Sequence, residues 1–246
     1  MAYNLKYQIT AATKNNEVAV VEMYIDEVVA AVIEYPATAI QLQYIPRSDD
    51  IYEPIYASQL NVSIDVTDDD DNMPDFTTLN DRKYLVKLFI DGVIYWQGWV
   101  LSDLVQYSFT TGRKELAFNA IDGLGMLDYI PFTFTETNVA GNTKLSPQST
   151  LYFLYSCLAK IGFPVGLNLI TACSYYAAGM SNRGDGSQYE PFNQSYLRPV
   201  YFQNDDETYE TCLVVLTKIL KSFGCKLYQS NGKWYIVAVN EFAAAP

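Results

Sequence analysis

The stretch Tyr84-Leu85-Val86-Lys87-Leu88-Phe89-Ile90-Asp91-Gly92-Val93-Ile94-Tyr95-Trp96-Gln97-Gly98-Trp99-Val100 decides the architecture. Two runs rich in aromatic and β-branched residues flank Asp91-Gly92, and Asp-Gly supplies the positive φ angles that a two-residue type I′ turn demands, so the stretch predicts a β-hairpin. Gly98, inside the second strand, marks either a bulge or a close backbone approach. Trp96 and Trp99 have opposite strand parity. Unless Gly98 introduces a bulge they face opposite ways, one toward a core and the other toward an interface.

Working upstream, Tyr3 to Thr10, Val18 to Ile25 and Ala37 to Ile45 read as strands separated by polar or proline-bearing breaks. Leu60, Val62, Ile64 and Val66 alternate with Asn61, Ser63 and Asp65, the pattern of a half-buried strand. Downstream, Lys114 to Ala120 forms another strand and runs into Asp122-Gly123-Leu124-Gly125. In that turn Asp122 is expected to bond backbone amides where Gly123 permits a tight bend, with Leu124 and Leu127 packed beneath. Residues 1–135 are therefore expected to form an antiparallel β-barrel or sandwich.

After about Glu136 the texture changes. Glu136 to Ser146 is polar and reads as a linker, and Ser146-Pro147 reads as the N-cap and first position of a helix. Leu151, Leu154, Leu158 and Ile161 follow at helical spacing, and Gly162 and Pro164 stop the helix. Residues 173–206 form a long loop rich in Tyr, Asn, Ser and Gly. A second helix is expected from about Thr208 to Gly224, with Leu213, Leu216, Ile219, Leu220 and Phe223 as its apolar stripe. A final hairpin turns at Asn231-Gly232, with Trp234 opening its second strand. The chain thus reads as α+β, mainly β: a β-rich domain over 1–135 and a smaller α+β domain over 136–246 with two helices and a C-terminal hairpin.

Composition narrows the chemistry. The 246 residues contain no histidine, so His-dependent triads and His-containing zinc sites are excluded within this chain. Sixteen basic against 28 acidic residues give a net charge of −12, the wrong sign for gripping nucleic acid phosphates. No apolar run approaches the ~20 residues of a membrane helix. The N-terminus carries no basic-then-apolar signal, and Cys157, Cys173, Cys212 and Cys225 are widely spaced, so reduced core thiols in a cytoplasm-made protein are expected.

Several constellations read as structural. Asp68-Asp69-Asp70-Asp71 lacks the spaced ligands, glycine and distal glutamate of a calcium loop and reads as a solvated acidic loop rather than a cation site. Arg183-Gly184-Asp185 matches an adhesion tripeptide too short to carry weight. No pair of carboxylates is singled out for glycosidase chemistry, and no catalytic, cofactor or metal residue is assigned. The 21 tyrosines fit core plus protein interface, with Tyr175, Tyr176, Tyr189 and Tyr196 in the long loop as interface candidates.

A family resemblance rests on ordered motifs. Arg82-Lys83-Tyr84-Leu85-Val86, then Asp91 to Val100 with its Trp96-Gln97-Gly98-Trp99 element, then Leu116-Ala117-Phe118-Asn119-Ala120-Ile121-Asp122-Gly123-Leu124-Gly125-Met126-Leu127, resembles N-terminal regions of tail proteins from phages and prophages of Bacteroides-type bacteria. Thr208 to Ile236 looks like the same family's helix plus hairpin. The resemblance implies a baseplate or tail-tip hub: a structural, non-enzymatic subunit of a homo-oligomeric ring at the distal end of the tail tube. It further implies a trimer in preference to a hexamer, other tail proteins as partners, no cofactor, and a place in the virion after assembly in the host cytoplasm. The first 50 residues carry none of the motif, and family members are often longer, so Ala243 to Pro246 reads as the stump of a truncated chain. The rival expectations are a sixfold distal-tail adaptor ring that anchors receptor-binding proteins, a carbohydrate-binding module with Trp96 or Trp99 as its sugar platform, and a glycan-cleaving enzyme.

Overall fold

In a computed structural model, which describes residues 3–12, 17–48, 50, 52–66, 76, 78, 80–110, 113–134, 147–173 and 190–242, seven strands close into a barrel. They are β1 (Asn4–Ala12), β2 (Val18–Ile25), β3 (Ile33–Pro46), β4 (Tyr56–Asp65), β5 (Tyr84–Ile90), β6 (Val93–Thr110) and β7 (Arg113–Ile121). Their order around the barrel is β1-β2-β5-β6-β7-β4-β3. The alternation read from the sequence is what fills it: Ala19, Val21, Met23 and Ile25 of β2 and Leu60, Val62 and Ile64 of β4 all point inward. Phe76 closes the packing, meeting Phe118, Tyr84 and Tyr7 edge-on at 5.1, 5.4 and 5.5 Å.

The fold class is as expected, mainly β with α+β material attached, and it differs in detail. The barrel is not wholly antiparallel: its closing pair, β1 with β3, is parallel over Tyr7↔Ile33 to Thr10↔Pro36. A parallel seam arises because β2 returns antiparallel beside β1 while β3 comes back on the other flank. β3 begins at Ile33 rather than Ala37, and β6 runs to Thr110, well past Val100.

The Asp91-Gly92 turn has φ of 48° and 77° and joins Ile90↔Val93. Of the two roles open to Gly98, the structure selects close approach. The bulge of β6 lies instead at Tyr95, unmatched between Ile94↔Phe89 and Trp96↔Leu88. A Cβ on Gly98 would stand 2.2 Å from the carbonyl oxygen of Ile121 and 2.3 Å from Cη2 of Trp96. The missing side chain is the space into which the Trp96 ring folds.

A second core lies against the outer face of β5 and β6. It is built from α1 (Thr150–Ala159), α3 (Cys212–Ser222) and the sheet β11-β12-β9, comprising β9 (Asn168–Ala172), β11 (Cys225–Ser230) and β12 (Lys233–Ala238). Smaller pieces are β8 (Gln148–Ser149) paired with β10 (Tyr196–Leu197), and the single-turn helices α2 (Pro191–Gln194) and α4 (Val239–Phe242). Helix boundaries shift from the sequence reading. Ser149, not Ser146, caps α1 by accepting from the Tyr152 N–H at 3.3 Å, because Gln148 and Ser149 are held in the ladder with β10. Thr211 caps α3, so that helix starts at Cys212 rather than near Thr208. The segment 190–206, expected as loop, carries α2, β10 and a 3₁₀ turn over Pro199–Phe202. All four cysteines are buried, and none is in a disulfide.

One buried carboxylate ties three strands together. Asp122 accepts from the Ser58 N–H at 2.6 Å, from the Ser58 hydroxyl at 2.7 Å and from the Leu124 N–H at 3.0 Å. Ser58 Oγ also receives the indole N–H of Trp96 at 2.8 Å, so β4, β6 and the end of β7 share one network. Burial pushes the Asp122 carboxyl up to about 6, against the pull of these donors.

Two predictions follow from this packing. Gly98→Ala should cost about 3 kcal/mol or more in urea unfolding, since the new methyl meets backbone rather than a flexible side-chain end. Gly125→Ala, whose Cβ meets nothing within 4 Å, should stay within about 0.5 kcal/mol. For Asp122, the folded pKa of about 6 lies above the unfolded value near 4, so the folded state holds the proton more tightly and its contribution is full below pH ~4 and lost as pH rises through 6. The stability of the parent chain relative to Asp122→Asn should therefore fall by about 3 kcal/mol between pH 3 and 7 and then level off, and a difference flat across that range would contradict it.

Candidate assembly interface

The barrel is closed by short seams, and two of its strands outrun their partners. β1 pairs with β3 only as far as Pro36, so among the described residues 37–46 of β3 are laddered on one side alone, to β4. β5 pairs with β6 only as far as Trp99, and among the described residues the remainder of β6 is laddered to β7 alone. There the register jumps from Leu101↔Asn119 to Gln106↔Ala117, a wide bulge that bends the outer part of the hairpin. A strand paired on one side presents a row of backbone donors and acceptors to any strand that meets it.

Apolar side chains stand on these same segments. Tyr44 and Ile45 of β3 are exposed, as are Leu104, Tyr107 and Phe109 of β6. Tyr107 and Phe109 stack with ring centroids 6.4 Å apart and planes 6° from parallel. Phe109 remains 65% exposed, a large apolar surface at the end of a hairpin. A second exposed aromatic group, Tyr152 and Tyr155 of α1 with Tyr196 and Tyr201, marks the smaller core's outer surface.

The residues singled out in the sequence distribute as follows. Trp96 is fully buried in the barrel, and Trp99 is fully buried in the second core, where Phe163 stacks on it at 5.8 Å and its indole N–H reaches the Ile161 carbonyl at 3.3 Å. Neither ring offers a face to a sugar, which removes the platform expected of a carbohydrate-binding module. Leu124, Leu127 and Trp234 are buried in the second core. Gly123, with φ of 84°, packs its α-carbon against Ile161 just after α1. Asn231 and Gly232 turn the last hairpin with φ of 47° and 64°. Of the tyrosines proposed for an interface, Tyr196 is 64% exposed, while Tyr175, Tyr176 and Tyr189 lie outside the described residues, as do Asp68 to Asp71 and Arg183 to Asp185.

Two groups escaped the sequence reading. Leu104, Tyr107 and Phe109 were missed because the second strand of the hairpin was read only to Val100, whereas β6 runs on to Thr110. Gln97 and Gln229 carried no signal. Gln229 reaches across the joint between the two cores, its Oε1 accepting from the Gln97 N–H at 2.7 Å and its Nε2 donating to the Gln97 carbonyl at 3.0 Å, and both are buried.

Two carboxylates serve the local fold. Glu190 caps α2 through the Asn193 N–H at 2.9 Å, and burial pushes its carboxyl up. Glu210 pairs with Lys218. Among the described residues no cluster of three or more His, Cys, Asp or Glu side chains is arranged to hold a metal ion, and no helix is long and apolar enough to cross a membrane.

No protein-family model and no curated protein matches the chain. Among the solved structures that resemble it in part are two tail proteins. One is the tail protein from Neisseria meningitidis MC58, at 15% identity and a TM-score of 0.43, covering 73% of this chain and 41% of that one. The other is the 43 kDa tail protein of prophage MuSo2 from Shewanella oneidensis, at 15% identity and a TM-score of 0.42, covering 83% of this chain and 54% of that one. The chain thus spans about half the length of the solved structures that it resembles.

Proposed function

We propose that this chain is a structural subunit of a phage tail tip, a baseplate hub that assembles as a homo-oligomeric ring at the end of the tail tube. The observation that carries the reading is the pair of one-sided strands, residues 37–46 of β3 and the outer part of β6, each bearing exposed apolar side chains. They are different surfaces of one subunit, so pairing one with the other is a heterologous contact, and such contacts close into a ring when the rotation fits. The motif order read in the sequence supplies the family, and with it three copies per ring, other tail proteins as partners and a place in the virion.

In this reading residues 1–135 build the ring and residues 136–246 brace it from outside, with Tyr196 and its neighbours left for adjoining tail proteins. The net charge of −12 suits a conduit for DNA, which an acidic lumen repels. The role is structural, with no reaction assigned.

Light scattering of the purified chain over a concentration series, with imaging of the assembly, tests the reading. A closed ring of three is the expected result, and a ring of six would favour the distal-tail adaptor. Phe109→Glu should shift the equilibrium toward monomer by tenfold or more with a melting temperature within a few degrees of the parent, because the side chain is exposed in the free subunit. An assembly unchanged by that charge would remove the β6 hairpin from the interface.

A further inference from the structure

A cavity of about 200 Å³ opens into the smaller core, and the assembly reading makes no use of it. It is lined by Tyr155 and Leu158 of α1, by Phe163 and Gly166 of the segment that follows, and by Leu169 of β9 and Trp234 of β12. These walls are fixed by contacts of their own. Gly162, with φ of 82°, turns the chain just past α1. Phe163 then stacks on Trp99 at 5.8 Å, and Leu169 pairs with Trp234 in the parallel ladder of β9 and β12. The space is therefore formed before anything enters it.

Trp234 supplies its polar group. The residue is only 2% exposed. An indole N–H can donate but not accept, and a buried one ordinarily finds an acceptor. Those of Trp96 and Trp99 do, at the Ser58 hydroxyl and the Ile161 carbonyl. Among the described residues the Trp234 N–H has no acceptor, and its nitrogen is not sealed from solvent as the partnerless Ser102 hydroxyl is. It faces the open space of the cavity that its ring lines.

The lining defines the occupant. No charged side chain borders the cavity, so an ion entering it would lose its hydration without gaining a partner. Phe163 and Trp234 offer aromatic surface, and Leu158 and Leu169 aliphatic surface. An apolar cavity of about 150 Å³ holds a benzene ring, so this one has room for such a ring with a small substituent. We propose that it binds a small neutral aromatic molecule carrying one acceptor oxygen, with the ring against Leu158, Phe163 and Leu169 and the oxygen on the Trp234 N–H. The site stands on its own lining and does not depend on ring assembly.

Nuclear magnetic resonance of the full chain labelled with nitrogen-15, titrated with acetophenone, ethylbenzene and benzoate, tests this. The probes share a ring and bear a neutral oxygen, no oxygen and a charged carboxylate respectively. The expected result is saturable binding of acetophenone with a downfield shift of the Trp234 indole proton, while that of Trp96 in the barrel stays in place. Ethylbenzene should bind at least tenfold more weakly, and benzoate not measurably. Trp234→Phe keeps an aromatic ring, removes the donor and identifies its signal; it should bring acetophenone down to the ethylbenzene level, with folding followed by circular dichroism. Should that variant unfold, Gly166→Phe gives the second test: a Cβ there meets nothing within 4 Å, so the added ring is tolerated and should block both neutral probes. The proposal is overturned by an absence of saturable acetophenone binding, by equal affinity for ethylbenzene or benzoate, or by affinities unchanged in folded variants.

Discussion

The structure turns on one strand that has to be buried on both faces. β6 carries Trp96 inward, where it is part of the barrel core, and Trp99 outward, where it anchors the second core. Large side chains on opposite faces within four residues are compatible with a strand because successive residues alternate sides. The difficulty is room for the inward ring, and Gly98 resolves it by leaving vacant the space beside the Ile121 carbonyl. Part of the second core is positioned from that strand. Arg82 at the start of the hairpin donates to the Lys160 carbonyl at 2.8 Å, and Trp99 to that of Ile161, so the end of α1 is docked beside β6.

Beside this strand two buried polar side chains are held by partners from distant segments. Gln229 engages both backbone groups of Gln97 as a neighbouring strand would, which continues the hydrogen bonding of β6 across the joint without a continuous ladder. Asp122 does the equivalent work inside, gathering the Ser58 backbone, its hydroxyl and the Leu124 N–H, with Trp96 bonded to the same hydroxyl. Buried polar networks of this kind specify one arrangement, because any displaced partner leaves a desolvated group unpaired. The two cores are thereby set in a defined relation.

The same geometry leaves strands longer than the barrel needs. β3 and β6 extend past the seams that close the sheet, and their outer parts keep one ladder and lose the other. Soluble proteins ordinarily shield such edges with charge, proline or irregularity. Here the edge of β3 ends at Pro46, and β6 is bent by its bulge, yet Tyr44, Ile45, Tyr107 and Phe109 remain on the surface. An exposed edge combined with exposed aromatics is a surface suited to another chain.

How much of this was legible in the sequence depends on the range of the interaction concerned. Local chemistry was readable: the Asp91-Gly92 and Asn231-Gly232 turns, the alternation of Leu60 to Val66, the stripe of α3 and the opposite parity of Trp96 and Trp99 are all set by dihedral preference and period within a few residues. The role of Gly98 was readable only as two alternatives, since the carbonyl that occupies its space belongs to Ile121, on another strand. The cap of α1 moved from Ser146 to Ser149 because β10, nearly 50 residues later, pairs with the segment before the helix. Tertiary structure alone decided that the barrel closes through a parallel seam, that Gln97 meets Gln229 and that Trp234 shares one cavity with Tyr155 and Phe163. Those outcomes depend on contacts between residues far apart in the chain, and the pattern of any one segment carries no record of which segment it will meet.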